Sequence, residues 1–457
     1  MSLTLKSLGG AGTVTGSRHL LEFEGQRLLI DCGLFQGYKA IRERNWVDFP
    51  IDPKSIDAII LTHAHIDHSG YLPKLVREGY RGPIYCSSAT KDLCEILLRD
   101  SAYISERDAE RANRRRYTRH KPAVALYSIA DAEAAIEQLT PIVFHRDTHL
   151  ANGAEIYLRR AGHILGAATV EVRWGGKTIV FSGDLGRYGD PFMFDPEPVR
   201  KADYVIIEST YGDRTHPKTD PMEQLGEVIG RTVERGGTVV IPAFAVGRAQ
   251  LLLYHLWMLK KAGRFENVAI YLDSPMAINA TELLCSHLED HRFSPQVCEE
   301  TCAIADYARD VESSKAITNS LMPKVVIAAS GMITGGRVLH HIQAFGGDQR
   351  NTILFSGYQA GGTRGDQILK GASKVRMFGH DVHIRAEIAS LPALSAHADA
   401  DELMTWLGGF ETPPSRTFIV HGEPEASSAL SGRIGSELGW PNAVVEIDQS
   451  YDLGGET

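Results

Sequence analysis

The sequence predicts an α/β protein in which one sheet-rich domain is interrupted by a second. Three observations carry this reading. The first 210 residues hold paired short strands whose ends bear histidines and acids, helix and strand alternate from about residue 211, and the tail again carries histidines at strand ends. The expected segments are therefore 1–210, 211–375 and 376–457, with the last returning to the first domain. At 457 residues the chain exceeds one ordinary core, which suits two domains or one with a large insertion.

The elements follow in order. "RHLLEFEG" and "QRLLIDCG" run apolar or alternate and join through Glu24-Gly25-Gln26, a hairpin signal. "IDAIILTH" is a buried strand that runs into the loop "LTHAHIDHSG", "PIYCS" is another strand, and helical text extends from Ala89 to about Arg119. "GAEIYLRRAGH", "ATVEVRWGGKTIVFSGD" (with a Gly175-Gly176 turn) and "ADYVIIESTYGDR" form a second series of strands. Ligand-type residues at such strand ends are what an αββα sandwich, or any open sheet, presents. "PMEQLGEVIGRTVERGG" and "GRAQLLLYHLWMLKKAG" then alternate as helices with the strands "TVVIPAF" and "NVAIYLDS"; "PKVVIAASGM", "RNTILFSGYQ" and "KVRMFG" continue as strands of a parallel βαβ sheet.

Composition narrows the function classes. Hydrophobic content of 43% and charged content of 23% are those of an ordinary globular chain. No apolar run is long enough for a membrane helix and the N-terminus does not read as a secretory signal, so a cytoplasmic location is expected. There the scattered Cys32, Cys86, Cys94, Cys285, Cys298 and Cys302 stay reduced; none has paired C-x-x-C spacing, and they read mostly as core fillers. A net charge of −9 argues against nucleic-acid binding driven by bulk charge. "ERDAERANRRRYTRHK" (107–121 carrying the arginines) is locally basic, either a solvated helix face or a phosphate-steering patch. "GGAGTVTG" resembles a dinucleotide fingerprint, but that fingerprint must open a helix and a hairpin follows here.

The chemistry concentrates in "THAHIDH". His63 and His65 alternate at a strand end, so both imidazoles can share one metal, while Asp67 and His68 follow at a helix start and can serve a second. Two metals need more ligands than this loop holds, and His163 in "RAGHILGA", Asp184 in "FSGDLGR" and a histidine of the tail are the candidates. Singly, each would be an ordinary strand-end hydrogen-bonding residue. The helix-borne H-E-x-x-H site is absent.

At these residues the chain resembles the metallo-β-lactamase superfamily, whose successive motifs match Asp31 of "LLIDCG", the loop cluster, His163 and Asp184. "IIESTYGDR" around Glu208, "LSAHAD" around His397 and "FIVHGE" around His421 resemble the A, B and C motifs of the β-CASP nucleases; "IPAFAVGRAQ", "LDSPMA", "ASGMITGGR" and "GYQAGGTRG" extend the likeness over nearly the whole chain. The resemblance implies an αββα sandwich with an inserted β-CASP α/β domain and two zinc ions per chain. His63, His65 and His163 would hold one ion, Asp67, His68 and His421 the other, with Asp184 bridging and Asp31 accepting the hydrogen bonds that orient the loop.

A two-metal clamp suits in-line displacement at an anionic phosphodiester, with a zinc-bridging hydroxide as nucleophile near neutral pH. Asp67 would orient it or accept its proton, and His397 would act as general acid with Glu208 fixing its tautomer. Attack by water predicts 5′-phosphate and 3′-hydroxyl products. Histidine at motif C resembles the RNA-directed members, so the expected activity is that of a zinc-dependent endoribonuclease, with 5′-to-3′ exonuclease trimming, on single-stranded RNA. Ser395, Arg337, Gly335, Gly336, Arg248 and Arg364 are the candidate phosphate contacts, the glycines because backbone N–H groups at a strand-to-helix turn suit an anion. A homodimer is a further family expectation. The competing readings are a thioester or lactone metallohydrolase of the same fold and a catalytically silent RNA-binding subunit.

Overall fold

The computed structural model describes residues 2–115, 121–357 and 359–454. The chain forms two compact units, one from Met1–Thr215 with His397–Thr457 and the other from His216–Ala396.

The first unit is built on two seven-stranded sheets. In the first sheet Ser450–Asp452, Thr4–Gly9, Arg18–Phe23 and Gln26–Ile30 pair antiparallel, and Ala58–Ile60, Ile84–Cys86 and Leu139–Pro141 then add in parallel. The turn between Phe23 and Gln26 has two residues, Glu24 at φ 53° and Gly25 at φ 79°. Positive φ at both positions gives the twist that antiparallel neighbours need. Gly175 and Gly176, at φ 57° and 72°, repeat the device between Ala168–Trp174 and Lys177–Phe181 in the second sheet. That sheet continues through Tyr204–Glu208 to Arg416–Val420 and Asn442–Val444, all parallel. Leu5, Leu21, Leu28, Ile30 and Ile60 of one sheet share a core with Val170, Val172, Ile179, Phe181, Ile206 and Phe418 of the other. Helix Ser88–Arg115 packs against helix Ile129–Ile136 beside the first sheet, and helix Pro424–Arg433 lies on the second, which completes αββα layering.

The second unit centres on a six-stranded sheet in the order Asp306–Tyr307, Ala269–Leu272, Lys324–Ala328, Thr238–Pro242, Thr352–Phe355, Glu387–Ser390, parallel throughout. Its helices start where short polar side chains cap them: Asp220 before Pro221–Glu234, Ser274 before Pro275–Leu284 and Ser294 before Pro295–Cys302, each with proline in the first turn. Two expectations are corrected here. Lys374–Met377 does not join the sheet; it pairs only with His380–His383 in a separate hairpin. The unit also does not end at residue 375, because Glu387–Ser390 pairs with Thr352–Phe355 and carries the segment up to Ala396 with it. The Glu387 carboxylate also pairs with Arg231 and Arg235 of the same unit.

Among the described residues no helix is long and apolar enough to cross a membrane.

Candidate metal centre

The centre lies within the first unit and is built on strand ends. Strand Gln26–Ile30 delivers Asp31, held at φ 60°, beside the end of strand Ala58–Ile60. Asp31 Oδ1 accepts the Thr62 backbone N–H at 2.8 Å, the Thr62 hydroxyl donates to Oδ2 at 2.9 Å, and His68 Nδ1 donates to Oδ2 at 2.7 Å. One carboxylate thereby fixes both ends of the histidine loop and leaves His68 Nε2 directed inward. The loop then enters a short helix, Ile66–Ser69, whose cap position is His65, so His63 and His65 project before the turn and Asp67 and His68 after it.

Two groups of side chains face each other. In one, His63 Nε2 and His163 Nε2 each lie 3.2 Å from His65 Nδ1. Asp184 Oδ2 stands 3.5 Å from His63 Nε2 and 3.7 Å from His163 Nε2. In the other, His68 Nε2 is 3.1 Å from His421 Nε2, which is 3.7 Å from Asp67 Oδ2. The second oxygen of Asp184, Oδ1, is 3.3 Å from His68 Nε2. Asp184 therefore presents one oxygen to each group.

The donor set fits a pair of metal ions. Within each group the ligand atoms lie inside 4.8 Å of one another. Asp184 Oδ1 is buried yet makes no hydrogen bond, a costly state for a carboxylate oxygen unless a cation serves it. Burial pushes the His63 imidazolium well below its ordinary pKa and brings His65 down to about 4, so both rings are neutral and able to ligate. Burial would raise Asp67, but its hydrogen bond with His421 and the charge of His68 outweigh this and bring it to about 2. Burial would likewise lower His68, but Asp184 and Asp31 hold it well above the ordinary value. The surroundings thus favour positive charge at the centre.

His397 stands at the edge of the cluster with its side chain 20% exposed. Its Nδ1 lies 3.3 Å from Glu208 Oε2 and 3.9 Å from Asp184 Oδ2. Burial acts to lower its pKa, but Glu208 and then Asp184 and Asp67 outweigh burial and raise it. Glu208 is itself fixed by the Leu185 N–H, which donates to Oε1 at 2.6 Å. The Ala398 N–H donates to Leu185 O at 2.8 Å, so the loops carrying Asp184 and His397 are tied together. Asp399 and Glu402 form a capping box on helix Ala400–Leu407, and Glu402 accepts from Arg187 at 2.9 Å.

Several supporting residues had no signal strong enough to single them out in the sequence. Thr62 links Asp31 to the loop. The Thr210 hydroxyl lies 3.2 Å from His421 Nδ1, and His421 itself sits at φ 50°. Arg18 is buried, donates to Gly33 O at 2.7 Å and lies 3.9 Å over the Tyr71 ring, bracing the turn under Asp67. The nearest sequence cue is a hydroxyl beside each motif, in "LTH" and "EST".

The second unit holds the expected phosphate contacts, and two of them have other partners. Arg337 Nη1 donates to Asp273 Oδ1 at 2.6 Å and to Ala308 O at 2.8 Å, while Nη2 donates to Arg309 O at 2.9 Å. Arg364 donates to Arg376 O at 2.8 Å and to Ile333 O and Thr334 O at 3.2 Å. Both guanidiniums are oriented by acceptors of their own unit. Arg248 and Ser395 are buried in the same unit. Gly336 is at φ 76°, and a Cβ there would meet Ala329 O at 2.4 Å, so the turn requires glycine. In the arginine-rich helix Arg107 pairs with Glu110 and Arg111 with Asp108, both pairs well exposed, which is the pattern of a solvated face. Arg116 and Arg119 lie outside the described residues.

Comparisons with known proteins agree with this architecture. A model of the metallo-beta-lactamase superfamily matches residues 13–227, one of the Beta-Casp domain matches 249–368, and one described as a Zn-dependent metallo-hydrolase RNA specificity domain matches 381–445. A ribonuclease of Thermus thermophilus is 38% identical over 430 residues, spanning 92% of this chain and 94% of that protein. A transcription termination factor of Methanosarcina mazei is 32% identical over 456 residues, spanning 94% of this chain and 69% of its own length. A crystal structure of a protein of unknown function from Enterococcus faecalis shares the fold, with a TM-score of 0.55 at 12% identity, over 99% of this chain and 100% of that one. The chain belongs to the β-CASP family of metallo-β-lactamase-fold nucleases.

Proposed function

We propose that the protein is a zinc-dependent ribonuclease that cleaves single-stranded RNA to 5′-phosphate and 3′-hydroxyl ends, acting as an endonuclease with 5′-to-3′ trimming. The observation that carries this reading is the pair of facing groups that share Asp184. His63, His65 and His163 would hold one zinc, and Asp67, His68 and His421 the other, with one Asp184 oxygen toward each. Bound there, two zincs supply an activated water and stabilise charge on the attacked phosphate. Asp67, ionised down to about pH 2, orients the attacking water or takes its proton at a carboxylate oxygen. Glu208 fixes a proton on His397 Nδ1 and, with Asp184 and Asp67, raises its pKa against burial, which favours the protonated ring that would donate to the departing 3′ oxygen. Ser395, Gly335, Gly336, Arg248, Arg337 and Arg364 are the proposed phosphate contacts. A homodimer in the cytoplasm belongs to the same reading, and light scattering measures the oligomeric state.

The relatives support RNA as substrate: the Thermus protein is a ribonuclease, and the third family model is named for RNA specificity. The deciding assay uses end-labelled RNA bearing 5′-triphosphate, 5′-monophosphate or 5′-hydroxyl, beside matched single-stranded DNA. Cleavage of RNA that chelators abolish is expected. A 2′,3′-cyclic phosphate product would overturn the hydrolytic mechanism. His397→Ala is expected to keep its zinc and lose about 10²–10⁴-fold in cleavage rate, the usual contribution of a general acid; an unchanged rate would sink that assignment.

A further inference from the structure

Three thiols converge in the second unit, far in sequence from every residue of the histidine–aspartate centre. Helix Pro275–Leu284 ends at Cys285, and Cys298 and Cys302 sit one turn apart on helix Pro295–Cys302. Residues four apart share a helix face, so both sulfurs can meet the end of the preceding helix. The three sulfurs lie within 4.8 Å of one another, with Cys285 and Cys298 at 2.8 Å. Cys298 is fully buried, Cys302 is partly buried and Cys285 is exposed.

We propose that Cys285, Cys298 and Cys302 form a thiolate site for a further zinc ion, which joins the ends of these two helices. Tetrahedral zinc with Zn–S bonds of about 2.3 Å sets its thiolates about 3.8 Å apart. The triad already has that scale, and the closest pair opens by about 1 Å around the ion. A disulfide would use two of the sulfurs and need an oxidant, whereas all three converge. The Glu282 carboxylate near the triad is paired with Arg309. His291 Nε2 donates to Leu284 O at 2.9 Å. The exposed side of Cys285 leaves the fourth position to water.

The test is metal content of the full chain purified with zinc and without chelator, for wild type, Cys285→Ser and Cys298→Ser. Loss of one zinc per chain in both variants, with RNA cleavage unchanged, is expected. The cobalt-substituted wild type should show sulfur-to-cobalt charge-transfer absorption in the near ultraviolet that both variants lack. Serine at buried position 298 disturbs packing as well, so the exposed Cys285→Ser variant is the deciding one. Equal zinc content and equal cobalt spectra in wild type and Cys285→Ser would overturn the proposal. So would an intact mass, taken without reductant, that reveals a Cys285–Cys298 disulfide in place of the ion.

Discussion

Gly33 has room for a hydrogen and nothing larger, because a Cβ there would lie 1.6 Å from the Asp67 carbonyl oxygen. Ser17 N also donates to that oxygen, and Cys32 N donates to His68 O, so the whole turn under the second metal group is pinned by backbone. Gly33→Ala is expected to displace Asp67 and His68 and lower metal occupancy by about one ion while circular dichroism stays native. Asp31→Ala removes the acceptor behind His68, and a loss of about 10–100-fold in metal affinity is expected, read by competition with a chromogenic chelator. At this scale the sequence was most informative where ligands crowd into one loop: four ligand-type residues within six positions point to a metal in any fold. Thr62, Thr210 and Arg18 were not legible, since a buried hydroxyl or guanidinium acquires its role only from what folding puts against it. The same holds for Cys285, Cys298 and Cys302, which read as fillers until the two helices brought them together.

Single side chains also join whole elements. Asp273, at the end of strand Ala269–Leu272, receives Arg337 at 2.6 Å and His341 Nε2 at 2.6 Å, and it accepts from the Ser314 hydroxyl at 2.5 Å. It thus ties helices Val311–Asn319 and Val338–Phe345 to the sheet. Removing one partner of such a buried group costs about 3–5 kcal/mol, so Asp273→Ala should lower urea stability by that order. Burial would raise the Asp273 pKa, but these hydrogen bonds outweigh it and depress it. A depressed carboxyl stabilises above its unfolded pKa, about 3.9, and loses that contribution as pH falls through the folded value. The stability gap between wild type and Asp273→Asn should therefore be full near neutrality and narrow only below about pH 4. Element positions were legible where apolar runs were flanked by caps and paired glycines, as in both hairpins. The misplaced strand shows the limit. Lys374–Met377 alternates in burial like a sheet strand, whereas Glu387–Ser390, equally short, is only partly buried, and its place depends on pairing with Thr352–Phe355.

For the molecule as a whole, metal and fold should be linked in the first unit. An ion that binds only the folded state adds RT ln(1 + [L]/Kd), about 4 kcal/mol at a thousandfold excess over Kd. Chelation should accordingly lower the melting temperature, and Asp184→Ala, which removes the carboxylate shared by both groups, should melt lower than untreated wild type and respond less to chelator. The net charge of −9 provides no bulk attraction for a polyanion, so cleavage should depend on salt less steeply than for a strongly basic RNA-binding protein.

His68 and His421 meet at 3.1 Å although 353 positions separate them. Strand Arg416–Val420, which ends just before His421, lies inside the second sheet between Tyr204–Glu208 and Asn442–Val444. The second metal group is therefore a long-range product of folding. A fragment that stops ahead of Arg416–Val420 has His63, His65 and His68 but neither the partner of His68 nor that strand of the second sheet.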